Sequence, residues 1–345
     1  MRVLVTGGAG YLGSHTVTSL LDGGHDVLVL DDLSAGSETA LERAAEVCGV
    51  AYPGERLRLV RADILAPEAY RDAATAFAPD VAVHFAGLKS PGESVAEPER
   101  YYTVNVAGTA AVAGVVRAAG ARALLFSSSA TVYGDDAPVP AAEDTAIAPV
   151  TPYGHSKAMA EQVLADVHAA HPDLSVASLR YFNPVGAHPS GRLGEDPAGT
   201  PANLMPYVAR VACGAYPELQ VFGSDYPTRD GSAVRDFIHV MDLAEAHVAA
   251  LDWLVARQGP VHRVWNIGRG TGVTVLEMVA AFERVTGRPV PYRVAPRRVG
   301  DIADSCAAVD LIAEEVGWTA VRGVEEMVVD LWRWQEANPG GYRAM

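Results

Sequence analysis

A chain of 345 residues, 49% of them hydrophobic, is long enough to bury a large core in two closely associated domains, and no apolar run approaches the ~20 residues a bilayer span needs. A net charge of −15 argues against nucleic acid and anionic membranes as partners, so an anionic ligand would have to meet positive charge supplied locally. Three scattered cysteines without a CxxC pair, and ten histidines without HxH or HxxxH spacing, argue against a disulfide framework and a metal site and for a reducing cytoplasm.

Arg2-Val3-Leu4-Val5 begins a strand at once, so no signal peptide is expected. The run ends in Thr6, turns through Gly7-Gly8-Ala9-Gly10-Tyr11-Leu12-Gly13 and continues as a helical pattern to Leu21. Glycines at 7, 10 and 13 let the backbone approach a pyrophosphate, whose charge the free amides and dipole of the helix attract. A second strand, Val27 to Leu30, ends at Asp31-Asp32. Asp31, 18 residues after Gly13, is placed to accept hydrogen bonds from an adenosine ribose and to repel a 2′-phosphate, which favours NAD over NADP.

The alternation continues. Arg58-Leu59-Val60 leads to Asp63-Ile64, a strand end that can face an adenine, and Val81 to Phe85 reads as a buried strand closing in Ala86-Gly87 before Lys89. A helix is expected from near Tyr101 past Asn105 to Ala119. The strand Ala123 to Phe126 opens into Ser127-Ser128-Ser129-Ala130-Thr131, with Ser127 and Ser128 read as turn formers. Repeated strand–helix units imply an α/β fold built on a Rossmann-type, doubly wound parallel sheet, whose ligands bind outside the carboxyl ends of the strands. Asp31, Asp63, Lys89 and Ser129 all follow predicted strand ends and are expected to share one crevice.

Tyr153-Gly154-His155-Ser156-Lys157 carries the chemistry. Pro152 suits the first turn of a helix, and a tyrosine and a lysine four residues apart project from one face of it. A phenol with a pKa near 10 is a poor base at pH 7, whereas a neighbouring ammonium favours its phenolate. Of 27 basic residues only Lys89 and Lys157 are lysines; a chain that uses arginine elsewhere marks these two as sites a planar guanidinium cannot serve.

Val176 to Arg180 is a further strand, ending in Tyr181-Phe182-Asn183. The pattern then changes to a Gly- and Pro-rich stretch over 191–206, a helix starting at Asn203-Leu204-Met205, a short strand Leu219 to Phe222, Asp236 to Val240 after Arg235, a helix to about Val255, a strand Val264 to Gly268 and a helix Thr274 to Val285. The boundary is placed at residue 183. Residues 1–182 form the NAD-binding domain and 183–345 a smaller mixed α/β substrate domain, with some C-terminal segments returning to the first.

GxxGxxG, a strand-end serine and YxxxK together resemble the extended short-chain dehydrogenase/reductase superfamily. FAGLKxxGES (Phe85 to Ser94), SSSATVYG (Ser127 to Gly134), RYFNPVGAHPSG (Arg180 to Gly191), NLMPYV (Asn203 to Val208), VRDFIHVMDLA (Val234 to Ala244) and APRRVGD (Ala295 to Asp301) narrow the resemblance to the UDP-glucose 4-epimerase family over nearly the whole chain. The resemblance implies reversible 4-epimerisation of UDP-glucose and UDP-galactose with tightly bound NAD. Tyr153 would be base and acid, Lys157 would tune it and hold the nicotinamide ribose, and Ser129 would bond the sugar 4-oxygen. Gly7, Gly10, Tyr11, Leu12, Gly13, Asp31, Asp32, Asp63, Ile64, Phe85, Ala86, Gly87, Lys89, Asn105 and Tyr181 would line the NAD site. Ala130, Thr131, Phe182, Asn183, Asn203, Leu204, Val221, Phe222, Arg235, Arg298, Asp301 and Ser305 would hold the UDP-sugar. The two arginines suit a diphosphate because their forks bond phosphate oxygens in pairs.

The position that sets the size of the family's sugar pocket aligns with Ser305, or with Cys306 on a one-residue slip. Both are small, so N-acetylhexosamine nucleotides are also expected as substrates. Val104 stands where some members carry an asparagine, with Asn105 retained beside it. The chain ends near the close of the substrate domain, so no fused mutarotase is expected. The family pattern implies a homodimer through helices around 101–119 and 153–171. A related dehydratase would need an acid and a base beside Ser129, where Ala130 and Thr131 stand; a decarboxylase is the other sugar-nucleotide alternative. A non-catalytic NAD sensor would have no use for the intact Tyr153–Lys157 pair.

Overall fold

The structure is a computed structural model and describes residues 1–197, 199–297 and 301–343. Six strands come first: β1 (Arg2–Thr6), β2 (Asp26–Asp31), β3 (Leu57–Arg61), β4 (Val81–His84), β5 (Ala123–Ser129) and β6 (Ser175–Tyr181). They are followed by β7 (Asn183–Val185), β8 (Leu219–Phe222), β9 (Val234–His239), β10 (His262–Ile267), β11 (Gly272–Thr274), β12 (Tyr292–Ala295) and β13 (Asp304–Ser305).

The main sheet has seven parallel strands in the order β10-β6-β5-β4-β1-β2-β3. Its central strands are continuous apolar runs because helices cover both faces. One layer packs Val3, Val5, Leu20, Val29, Leu125 and Leu251 together; the opposite layer packs Leu4, Leu28, Val112, Phe126 and Leu164. Strand order reverses between β1 and β4, and that switch point opens the ligand crevice of such sheets. Gly7 leaves β1 there with φ +70°, and a Cβ on it would lie 2.6 Å from the Ala86 nitrogen of the segment after β4. Only glycine lets the two loops meet so closely.

The second unit has its own core of Met205, Val208, Leu219, Phe237, Met278, Phe282, Met327 and Leu331. Around β9 it builds a small sheet, β11-β9-β13 with β7 also on β9, and a separate parallel pair, β12-β8. The return of β10 to pair with β6 puts residues 262–267 in the main sheet.

The segment expected as one helix over 101–119 is three pieces: a helical turn Pro98–Tyr102, a π-turn Thr103–Ala107 and a helix Gly108–Ala118. π-turns tend to mark functional positions, and this one carries the buried Asn105. No helix among the described residues is long and apolar enough to cross a membrane, and no group of three His, Cys, Asp or Glu side chains is placed to hold a metal ion.

Candidate active site

Tyr153 and Lys157 lie on the helix Pro152–Ala170. Pro152 occupies its first turn, and the Thr151 hydroxyl caps it by accepting from the Gly154 amide at 3.2 Å. Both side chains are turned inward against β5 and are buried. The Lys157 ammonium donates to the Ser127 carbonyl at 2.8 Å and sits 4.9 Å above the Phe126 ring and 6.0 Å from the centre of the Tyr153 ring. Ser129, at the carboxyl end of β5, lies beside the phenol and acts to lower its pKa. Its oxygen accepts from the Thr131 amide at 3.2 Å and the Thr131 hydroxyl at 3.0 Å. With both lone pairs engaged, its own proton is left to donate outward.

The electrostatics depart from the expectation of a phenol pulled down by its lysine. Burial pushes Tyr153 above its ordinary value, and the Ser129 hydrogen bond pulls it back only in part. Burial also lowers Lys157 to about 8, with the Glu161 carboxylate acting in the opposite sense. Desolvation disfavours both charged forms, so protein groups alone do not set the phenol near neutrality.

A support beneath this pair was not foreseen. Tyr153, Lys157 and Glu161 recur at intervals of four on one helical face, a pattern that could have flagged the glutamate. Glu161 accepts from the Ser128 hydroxyl and takes a two-pronged bond from Arg180, 3.0 Å from Nε and 2.7 Å from Nη2. Arg180 also donates to the Tyr133 hydroxyl at 3.0 Å, which donates in turn to Asn266 at 2.6 Å. The network ties the Tyr153 helix to β5, β6 and β10. It also corrects the reading of Ser127 and Ser128, which are strand residues of β5 and form no turn. Glu161→Gln keeps the shape and strands the buried Arg180 charge, an expected loss of about 3–5 kcal/mol. Urea unfolding checks this, and a change under about 1 kcal/mol would reject it.

Around the switch point, the helix Tyr11–Asp22 starts at Gly10 with no capping side chain, so the amides of Tyr11, Leu12 and Gly13 have no partner within the helix. The Tyr11 hydroxyl donates to the Gly186 carbonyl at 2.8 Å. Asp31, at the end of β2, accepts from the amides of Ala9 and Leu33, both at 2.9 Å, and burial raises its pKa against those two bonds. Asp32 accepts from Ser34 and Asp63 from the Leu65 amide. Ile64 is a core residue packed against Gly108.

Past β4, Phe85 packs against His247 with ring centroids 4.8 Å apart and the planes tilted by 42°, and the Tyr181 hydroxyl bonds the same histidine. Asn105 grips this segment: its side chain accepts from the Leu88 amide at 2.8 Å and donates to the Leu88 carbonyl at 3.0 Å and the Ser156 hydroxyl at 2.9 Å. Gly87 lies against it, where a Cβ would come within 2.9 Å of Asn105 and 3.8 Å of the Lys157 nitrogen. The structure thus brings Gly7, Ala86, Gly87, Asn105 and Lys157 to one place. Lys89 reaches away from them to Glu195 at 3.3 Å.

Of the residues expected to hold the sugar nucleotide, Ala130 follows Ser129 at the mouth of β5, and Phe182 packs with Val132, Tyr133 and Ala307. Asn183 starts β7, beside Phe237 of β9. Arg235 faces Asp301 at 3.7 Å and donates to the Ile302 carbonyl at 3.0 Å, with Ser305 paired to it in register across β13. Asn203 precedes the helix Leu204–Ala212 and donates to Glu195 at 2.9 Å. The side chain of Val221 does not face the crevice. Period-two alternation turns Leu219 and Val221 into the core and Gln220 and Phe222 out of it. Arg298 lies outside the described residues.

A profile of the NAD dependent epimerase/dehydratase family matches residues 3–268. The UDP-glucose 4-epimerase of Bacillus subtilis (strain 168) is 51% identical over 344 residues, which span 100% of this chain and 99% of that one. The crystal structure of a UDP-glucose 4-epimerase from Stenotrophomonas maltophila with bound NAD and formylated UDP-arabinopyranose superposes with a TM-score of 0.94 at 47% identity, covering 98% of this chain and 99% of that one. One from Bifidobacterium longum in complex with NAD+ and UDP gives 0.93 at 44% identity, covering 99% and 100%. The chain belongs to the NAD dependent epimerase/dehydratase family, among its UDP-glucose 4-epimerases.

Proposed function

We propose that this chain is an NAD-dependent isomerase that interconverts UDP-glucose and UDP-galactose through a 4-keto sugar. The observation that carries the reading is a buried phenol beside a serine whose oxygen is already filled by two other donors, with a buried ammonium one helical turn on. Tyr153 takes the proton of the sugar 4-hydroxyl and returns it after the sugar has turned over. Ser129, its lone pairs held by Thr131, donates to whichever oxygen carries the developing charge.

The residues present fit a dinucleotide. An uncapped helix start offers free amides to its diphosphate, and each oxygen of Asp31 takes only one backbone bond, which leaves an acceptor position for ribose hydroxyls. Gly7, Gly10, Tyr11, Leu12 and Gly13 would hold the diphosphate and Asp31 the adenosine ribose. Phe85, Lys157 and Tyr181 would hold the nicotinamide end. When bound, NAD supplies a positively charged hydride acceptor. Arg235 would grip the UDP diphosphate, while the sugar is held loosely enough to turn. A dehydratase is disfavoured by the residues beside Ser129, where Thr131 brings a hydroxyl and no carboxylate.

The purified chain, incubated with UDP-galactose and no added NAD, is expected to form UDP-glucose. Product only on adding NAD would show a loosely held cofactor; no product under either condition would overturn the reading.

Three finer readings accompany it. Cys306 turns its thiol toward the buried Asp236, which leaves half-buried Ser305 as the small wall residue of the sugar pocket. UDP-N-acetylglucosamine should be turned over within about 200-fold of UDP-glucose, the reach of pocket-size discrimination. A deficit of thousands-fold, measured as kcat/KM, would reject this. Second, Val95 and Met159 expose 66% and 48% of their surface on neighbouring helices, which suits a homodimer through this face. Light scattering should give twice 36.3 kDa, and a monomer mass would reject the dimer. Third, all three cysteines are unpaired, which suits the reducing cytoplasm. Cell fractionation that placed the chain outside the cytoplasm would reject that placement.

A further inference from the structure

Glu195 lies in the irregular stretch between β7 and the helix Leu204–Ala212, and only 6% of its side chain is exposed. A single oxygen, Oε1, accepts from the Lys89 ammonium at 3.3 Å and from the Asn203 amide at 2.9 Å. Lys89 comes from the segment after β4 in the main sheet. Asn203 introduces a helix of the second unit. One buried carboxylate therefore joins residues assigned to different ligands.

Two further observations set this contact apart from an ordinary surface ion pair. Asn203 occupies the N-cap of its helix, where asparagine is among the best capping residues, yet its side chain makes no capping bond. The amide is turned to Glu195 instead. The backbone around Glu195 is also clamped. Its carbonyl accepts from the Trp334 indole at 3.3 Å, Gly194 lies under the Trp334 ring with no room for a side chain, and the Gly194 amide donates to the Tyr342 hydroxyl at 3.1 Å. Lys89, by contrast, is 68% exposed and held by one long bond.

We propose that Glu195 is a positioning residue that links the two ligand grips, so that a uridine diphosphate held through Asn203 tightens the hold on the dinucleotide at Lys89. The inference rests on the proposed function and on the places the family resemblance implies for Lys89, in the NAD site, and for Asn203, in the UDP-sugar site. An ammonium has three donors, so Lys89 can bond a phosphate oxygen and keep Glu195, while a carboxylate oxygen has two acceptor positions, both filled here. A phosphate that restrains Lys89 fixes the carboxylate. The fixed carboxylate orients the Asn203 amide, which leaves its oxygen and second N–H for the other ligand. Each ligand thereby removes part of the ordering cost the other would meet, and the coupling is positive.

The test is the rate at which the purified holoenzyme loses NAD after dilution, with and without saturating UDP. In the unaltered chain UDP should slow the loss by about five-fold or more, the lower end of typical site–site coupling. In Glu195→Leu, which removes the shared acceptor oxygen, the two rates should agree within about two-fold, while calorimetry still shows UDP binding. Should Glu195→Leu fold poorly, Lys89→Met removes the same bridge at an exposed position and should likewise abolish the UDP effect. An unaltered chain whose NAD loss ignores UDP, or a Glu195→Leu chain as responsive as the unaltered one, overturns the link. If Lys89→Met leaves NAD loss without UDP unchanged, or Asn203→Ala leaves UDP affinity unchanged, the residue assignments themselves fall.

Discussion

Tyr153→Phe should lower kcat for UDP-galactose by about 10³-fold or more while UDP binds with nearly unchanged affinity. Only one oxygen is removed. The ring keeps its edge-on packing with Tyr101, 6.4 Å between centroids, so the helix and the pocket wall should stay in place. The missing oxygen is the group that takes and returns the proton, and a positioned acid–base group contributes about 10²–10⁴-fold. Loss confined to kcat is the mark of an interaction made in the transition state. Steady-state kinetics with calorimetric UDP binding measures both parts, and a rate within about ten-fold of the unaltered chain would remove Tyr153 from the chemistry.

The same chain should show a rate that climbs with pH through neutrality. The active form is the phenolate, and burial holds the phenol above its ordinary value. As pH rises, the deprotonated fraction and the rate rise with it. The climb should fail above about 8, where Lys157 loses the proton that stabilises the phenolate. A profile that falls across pH 6–8 would contradict this sign.

Much of the main sheet was legible because its signals are local. β1 followed by glycines and a helix, acidic residues at the ends of β2 and β3, and alternating strand and helix patterns each fix φ/ψ and burial over a few residues. The Tyr153 helix announced itself through Pro152 and a four-residue spacing. What stayed hidden depends on the third dimension. Glu195 sits in a Gly- and Pro-rich stretch without periodicity, and nothing local says that it meets both Lys89 and Asn203. Ser128 resembled a turn hydroxyl, but β5 runs through it, paired with Arg180 of β6, and its side chain meets Glu161 on the Tyr153 helix. The π-turn around Asn105 was invisible because its helical pattern is unbroken, and the wider turn shows only in where the side chain reaches. The effect of burial on Tyr153 was hidden for a related reason. Sequence spacing reveals the neighbouring charge, whereas the degree of burial, which raises the phenol, is a property of the packed structure.

Lys157 gives the second large effect, and its sharpest form is Lys157→Arg. Charge is conserved in that substitution, so a role limited to long-range attraction would survive it. The site is built for a compact ammonium. It fits between the Ser127 carbonyl at 2.8 Å and the Phe126 ring at 4.9 Å, and the space left by Gly87 begins 3.8 Å away. A planar guanidinium carries two more nitrogens and a fixed fork, and cannot occupy that space without displacing Gly87 or Asn105. Both residues belong to the crevice wall, so the displacement would disturb the cofactor end as well as the base. Lys157→Arg and Lys157→Met are both expected to lose about 10²-fold or more in kcat, the lower bound for an acid–base group deprived of its supporting charge in position. Arginine should rescue no more than a few-fold of what methionine loses. Steady-state rates, together with the NAD retained per chain, measure this. An arginine variant within about ten-fold of the unaltered rate would mean that this chain, which elsewhere chooses arginine over lysine 25 times in 27, gained nothing chemical from the exception.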